Sequence, residues 1–228
     1  MRTIDQLIAA TRLEAERAPF PVDQDVYARA GKDPLQPILF GGSLDAPVCI
    51  FARDLGKDEV ARGEPLVGAG GRLVRAGLHA DAHGEPPPKS DRTVETALRL
   101  ALLANTVPYK PPGNKAYAGA VKERFRPFLE ELLVGHWTGH HLLTLGTEAF
   151  EWFAPYLAPG LGDAFWSRED RYESDLECVL TAEIDGTKAS KPITIAPLPH
   201  PSPLNQKWHG RFPALLAARL ASARKKGS

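Results

Sequence analysis

The sequence predicts an α/β chain: a three-layer α/β/α sandwich around a short, mainly parallel four-stranded sheet. Three observations carry that expectation. Short apolar runs recur along the 228 residues, segments of helical periodicity separate them, and no internal repeat or long linker divides the chain. Strands separated by helices form right-handed βαβ units, which put helices on both faces of a parallel sheet. A hydrophobic content of 43% is ordinary for one globular domain of this length, so the chain is read as a single domain over residues 1–228.

The elements follow in order. Residues 1–18 form a helix, with Ile4, Leu7, Ile8 and Leu13 at helical spacing. Acids and the lack of a long apolar stretch exclude a signal peptide there. No segment approaches the ~18–20 apolar residues of a membrane span. The chain is therefore expected to be cytoplasmic, and a monomer. Strands are expected at VCIFA (48–52), ALLAN (101–105), LLTL (142–145) and ITIA (193–196). Helices are expected over 66–78, 117–134, 147–157 and 212–224, with a short strand or hairpin in 173–185 and a polar, proline-rich loop over 79–92. A basic tail closes the chain at about 222–228.

Charge balances at 28 Lys and Arg against 28 Asp and Glu, so no global basicity advertises a polyanion. The distribution is less even. No Asp or Glu follows Gly186, whereas Lys188, Lys191, Lys207, Arg211 and Arg219 lie there, so one end can present a positive face. Cys49 and Cys178 are the only cysteines; they exclude a disulfide scaffold and cannot supply four thiolates to a metal site. Cys49, inside an apolar run, reads as a core residue.

In a parallel sheet, ligand chemistry gathers beyond the C-terminal strand ends. Three polar stretches fall there: ARDLGKDEVARGEPLVGAGGRLV (52–74), NTVPYKPPGNKAY (105–117) and, within PLPHPSPLNQKWHGR (197–211), the proline-braced HPSPL (200–204). These stretches, in this order and each after an expected strand, resemble the motif set of the uracil-DNA glycosylase superfamily. The second stretch and the G-x-P-x-V-G-x-x-G-x-L-like element resemble its thermophile-type bacterial branch, while HPSPL resembles the broader superfamily. The resemblance spans roughly residues 45–220.

What the resemblance implies is a DNA glycosylase acting on uracil or a related deaminated base, with no cofactor and no metal. Asp54 stands where the uracil-specific branch carries its catalytic carboxylate, which stabilises positive charge on the sugar and orients or deprotonates water. His200 donates to the departing base, and Asn105 reads its Watson–Crick edge. Ser202 grips a phosphate, and Leu204 is the apolar wedge that fills the vacated stack. Lys110, Lys115, Lys207, Arg211 and the turn beginning at Gly68 are candidate phosphate contacts. Asp58 and Glu59 read as the start of a helix or as solvent-facing, and the remaining histidines as surface or packing residues.

The pattern also departs from the family. The thermophile-type branch has four cysteines for an iron–sulfur cluster, which this chain cannot match. Leu66 stands where that branch stacks an aromatic on the base, leaving Phe40 and Phe51 as candidate substitutes. Gly56 stands where the uracil-specific branch uses a tyrosine against the thymine methyl. Arg53 is expected to lower the pKa of Asp54. Two other readings stay open: a non-catalytic damage- or single-strand-DNA-binding relative, and a small-molecule nucleoside enzyme.

Overall fold

Each expected apolar run becomes a strand. In the computed structural model, which describes residues 1–113 and 115–226, the chain runs through α1 (Ile4–Arg17), α2 (Gln24–Ala30), β1 (Gly41–Gly42), β2 (Val48–Ala52), α3 (Lys57–Arg62) and α4 (Ala69–His83). It continues through β3 (Leu102–Asn105), α5 (Gly119–Glu131), β4 (His141–Leu145), α6 (Thr147–Glu151) and α7 (Leu161–Trp166). The last elements are β5 (Leu176–Ile184), β6 (Thr187–Leu198), α8 (Gln206–His209) and α9 (Phe212–Lys226).

The sheet is six-stranded and mixed, in the order β1-β3-β2-β4-β6-β5, which corrects the expected four strands. The expected four are its parallel centre, β3-β2-β4-β6, with Asn105 opposite Ala52 in register. The two additions are antiparallel edges. β1 is a pair of glycines with no apolar signal, and β5 alternates between buried and exposed positions as a half-solvated edge does. β5 and β6 meet at Asp185–Gly186, whose φ values of 51° and 71° match a two-residue hairpin turn of the primed type.

Side chains of the central strands alternate between two cores. Cys49, Phe51, Leu102, Ala104, Leu142 and Ile195 face a layer that includes Leu7 of α1 and Leu129 of α5. Ile50, Ala52, Leu103, Leu143 and Leu198 face Val74 and Leu78 of α4 and Leu216 and Leu220 of α9. Burial on both faces explains why these strands read as continuous apolar runs, and it makes the expected three layers.

Helix boundaries shift for local reasons. The helix expected from residue 66 starts at Ala69, because Leu66 has φ 56° and Gly68 occupies the N-cap. Its end runs five residues into the expected polar loop and stops at Gly84 in the left-handed region. The basic tail is the last turn of α9, where Lys226 Nζ lies 2.8 Å from Asp175 Oδ2; residues 227 and 228 of the expected tail lie outside the described residues. Among the described residues no helix is long and apolar enough to cross a membrane.

Candidate active site

The chain passes from β2 to β3 on one side and then crosses over β2 to β4 on the other, so β2 is the switch point of the sheet. A crevice is expected beyond the C-terminal strand ends at such a point. The cleft found there has a volume of about 790 Å³. Arg53, Asp54 and Gly56 enter it after β2, Asn105 ends β3, and His200, Ser202 and Leu204 follow β6. Leu66, Gly68, Lys110 and Lys115 complete the predicted set in its walls, whereas Lys207 and Arg211 lie outside them.

Asp54 is held just past the buried strand, with its side chain only 4% exposed. Among the described residues neither carboxylate oxygen has an aligned hydrogen-bond donor. Arg53 Nε lies 3.0 Å from Oδ2 as an ion pair. Burial raises the Asp54 pKa above the ordinary 3.8, and the charges of Arg53 and then Lys122 oppose that rise. The expected lowering by Arg53 is therefore real but outweighed by desolvation. Asn105 is buried as well, and its Oδ1 has no partner among the described residues. A buried carboxylate held only by the Arg53 ion pair and an orphaned amide oxygen at adjacent strand ends are costly without a ligand.

His200 belongs to a loop that braces itself. Ser202 N–H donates to His200 Nδ1 (3.2 Å), Leu204 N–H donates to Ser202 Oγ (3.2 Å), and Asn205 Nδ2 donates to the His200 carbonyl (3.1 Å). The prolines remove competing donors and restrict φ. Gly146, at φ 84° after β4, makes room for the ring: a Cβ there would lie 3.1 Å from His200 Cβ. Crowding by protein lowers the His200 pKa below its ordinary value, with the Arg53 charge as the second cause. Leu204 at the loop tip is 93% exposed. Beyond it Lys207 and Arg211 are exposed and pack their charges against the Trp208 ring, at 5.3 and 5.1 Å from its centroid.

Glu59 is the residue whose role sequence reasoning missed. Its buried carboxylate accepts N–H bonds from Gly56 (3.0 Å), Val67 (2.8 Å) and Gly68 (2.7 Å), tying both loops of the first motif together. The signal was present: Glu59 stands three residues after the Gly56 N-cap of α3, the acidic position of a capping box. A Cβ on Gly56 would lie 2.6 Å from Glu59 Oε2, so a bulky residue at 56 is incompatible with this tie. Arg75, 1% exposed, holds the neighbouring Leu66 through its carbonyl (2.7 Å) and the Pro65 carbonyl (2.9 Å). These bonds support the left-handed backbone of Leu66, a conformation that costs a non-glycine residue about 1 kcal/mol or more.

Three expectations are corrected. Lys110 is not a free phosphate contact: it is 4% exposed, and its ammonium is spent on Asp23 (2.7 Å) and the Pro111 and Gly113 carbonyls. Its place beneath the loop, unreadable from a K-P-P-G string, makes it structural. Phe51 is fully buried against Trp152 and Phe153, and Phe40 packs on the same core, so neither reaches the cleft. No Phe, Tyr or Trp side chain lines the cleft among the described residues.

Fold and cleft together define an α/β protein whose binding crevice sits at the switch point of its sheet. The family model of the uracil DNA glycosylase superfamily matches residues 40–224, and the chain belongs to that superfamily. No curated protein matches it. Members of that superfamily act on DNA, so membership supports DNA binding and a place among the glycosylases of base excision repair. The iron–sulfur cluster of the thermophile-type branch does not fit this chain, because its two thiols are buried on separate strands, β2 and β5.

Proposed function

We propose that this chain is a monofunctional DNA glycosylase that flips out uracil, or a related deaminated base, and hydrolyses its N-glycosidic bond to leave an abasic site. The single observation that carries the reading is the convergence of Asp54, Asn105 and His200 on one cleft from the ends of three strands.

Bond cleavage places positive charge on the sugar and negative charge on the base. The Asp54 carboxylate, lacking an aligned donor, supplies anionic stabilisation at the sugar and orients water toward it. The unpartnered Asn105 Oδ1 accepts from the N3–H of a uracil ring, and its amide N–H₂ donates to O4. His200 donates to O2, where the leaving base gathers charge. Leu204, projecting into solvent, fills the stack the base has left. Lys115, Lys207 and Arg211 contact phosphates around it.

Incubation with a uracil-containing oligonucleotide, followed by alkali cleavage at abasic sites, tests this reading. Strand scission is the expected result. No product with uracil, hypoxanthine, xanthine or mismatched thymine overturns it. The cleft without an aromatic platform favours a second reading, a superfamily member that binds damaged or single-stranded DNA without cutting. Salt-sensitive DNA binding without abasic product would establish that alternative.

A further inference from the structure

Residues 1–39 precede the stretch that matches the superfamily model, yet Asp23 and Val26 form part of the cleft wall. Thr106 N–H still donates to the Ala52 carbonyl (3.0 Å), but residues 107–113 belong to neither helix nor strand, so no ladder satisfies their backbone. The N-terminal segment does so instead. Ile38 N–H donates to the Pro108 carbonyl (2.8 Å), Tyr27 Oη accepts from Lys110 N–H (3.1 Å), and Asp23 N–H donates to the Lys110 carbonyl (3.1 Å). Asp23 Oδ2 accepts from both Lys110 Nζ (2.7 Å) and Gly113 N–H (3.1 Å). Beneath the turn, Phe20, Tyr109 and Phe125 form a triangle of rings with centroids 5.1 Å apart.

We propose that Asp23 is a positioning residue for the cleft: its carboxylate, acting through Lys110 and Gly113, holds the loop that follows Asn105 and delivers Lys115 to the cleft rim. What the loop positions rests on the glycosylase reading; the brace itself does not. The packed rings alone fix Tyr109 but not the residues after it. The two charge-assisted bonds to Asp23 reach those residues, and such bonds are about twice as strong as neutral ones. The other two Lys110 ammonium bonds end on carbonyls of the same loop, so Asp23 supplies the only tie from that ammonium to the N-terminal segment among the described residues. Burial of Lys110 and Asp23, with side chains 4% and 15% exposed, shields the pair from screening.

Asp23 also caps α2, accepting from Val26 N–H through Oδ1 (3.3 Å), so alanine would confound two roles. The variant pair Asp23→Asn with Lys110→Met keeps the cap and removes both buried charges, which is often near-neutral for folding. Amide hydrogen exchange of the free, full-length chain and single-turnover kinetics on a uracil-containing oligonucleotide are the two measurements. We expect exchange at Gly113 to quicken by about tenfold. The half-saturating enzyme concentration should rise by a similar factor while the maximal rate changes less than about threefold, because Asp54 and His200 sit on other loops. Mere destabilisation would lower the active fraction and leave half-saturation per active molecule unchanged. Exchange within about twofold of wild type overturns the brace, and faster exchange with unchanged half-saturation overturns its positioning role. If the wild-type chain releases no base, the glycosylase reading fails; exchange and affinity for the same oligonucleotide then decide the brace.

Discussion

Ser202 donates its backbone N–H to His200 Nδ1 at 3.2 Å, and this contact decides which ring nitrogen serves the cleft. An accepting Nδ1 places the proton on Nε2, so the neutral ring offers Nε2–H as a donor. The lowered pKa keeps that neutral form at pH 7.

His200→Ala should reduce the single-turnover rate on a uracil substrate by about 10²–10³. His200→Gln, which keeps a donor, should lose less. The pH sign follows from the depressed folded pKa: the neutral ring's contribution to loop stability is complete above the ordinary 6.5 and is lost as pH falls through the lower folded value. Protonation also ends the bond from Ser202. An NMR titration of the imidazole checks this, and a pKa above 6.5 contradicts it.

Asp54→Asn should separate activity from stability. Loss of the carboxylate is expected to slow turnover by about 10²–10⁴. Because burial raises the folded pKa above 3.8, the stability linked to Asp54 is complete at low pH and is lost as pH rises through the folded value. Ionised Asp54 thus costs stability at neutral pH, and its replacement should add about 1 kcal/mol there. Thermal melts at pH 7 and pH 4 should show the gain shrinking in acid. Unchanged turnover would remove Asp54 from its role.

Glu59→Gln puts an N–H₂ group where carboxylate oxygens accept from Gly56, Val67 and Gly68. At least one of those amides loses its partner, at a cost of about 1–3 kcal/mol. A lower denaturation midpoint and a lower kcat/KM are both expected. A midpoint equal to wild type would show that the carboxylate is not what ties the two loops.

Leu204→Ala removes a side chain that touches almost nothing in the free protein, so the melting temperature should stay within experimental error. Activity on duplex DNA is expected to fall about tenfold, from weaker compensation of unstacking. Single-stranded substrate, with less stacking to break, should be less affected. Equal losses on both substrates would remove the wedge role.

How far the sequence could be read follows from where each residue's partners lie. VCIFA and ALLAN were legible as strands because burial on both faces leaves an uninterrupted apolar run. The Gly41–Gly42 edge was illegible because two glycines carry no pattern. Asp54, Asn105 and His200 could be nominated from strand context and motif order, and the fold brings them to one cleft. Lys110 was misread because a lysine in a loop is exposed by default, and its partner Asp23 lies 87 positions away. Glu59 was read as a helix start or a solvent-facing acid; it does start α3, but its carboxylate turns inward to the amides of the next loop.

The sequence by itself determined the alternation of strands and helices, and with it which loops emerge at the ligand end of the sheet. That information is local: periodicity, turn residues and short motifs act within a few positions of one another. The tertiary structure decided which polar groups lose water. It buried Asp54 with only the Arg53 charge beside it, left Asn105 Oδ1 without a partner, turned Glu59 inward, and put Asp23 beside Lys110. Desolvation and hydrogen bonding depend on distances between residues remote in the chain, and only the folded packing brings those residues together.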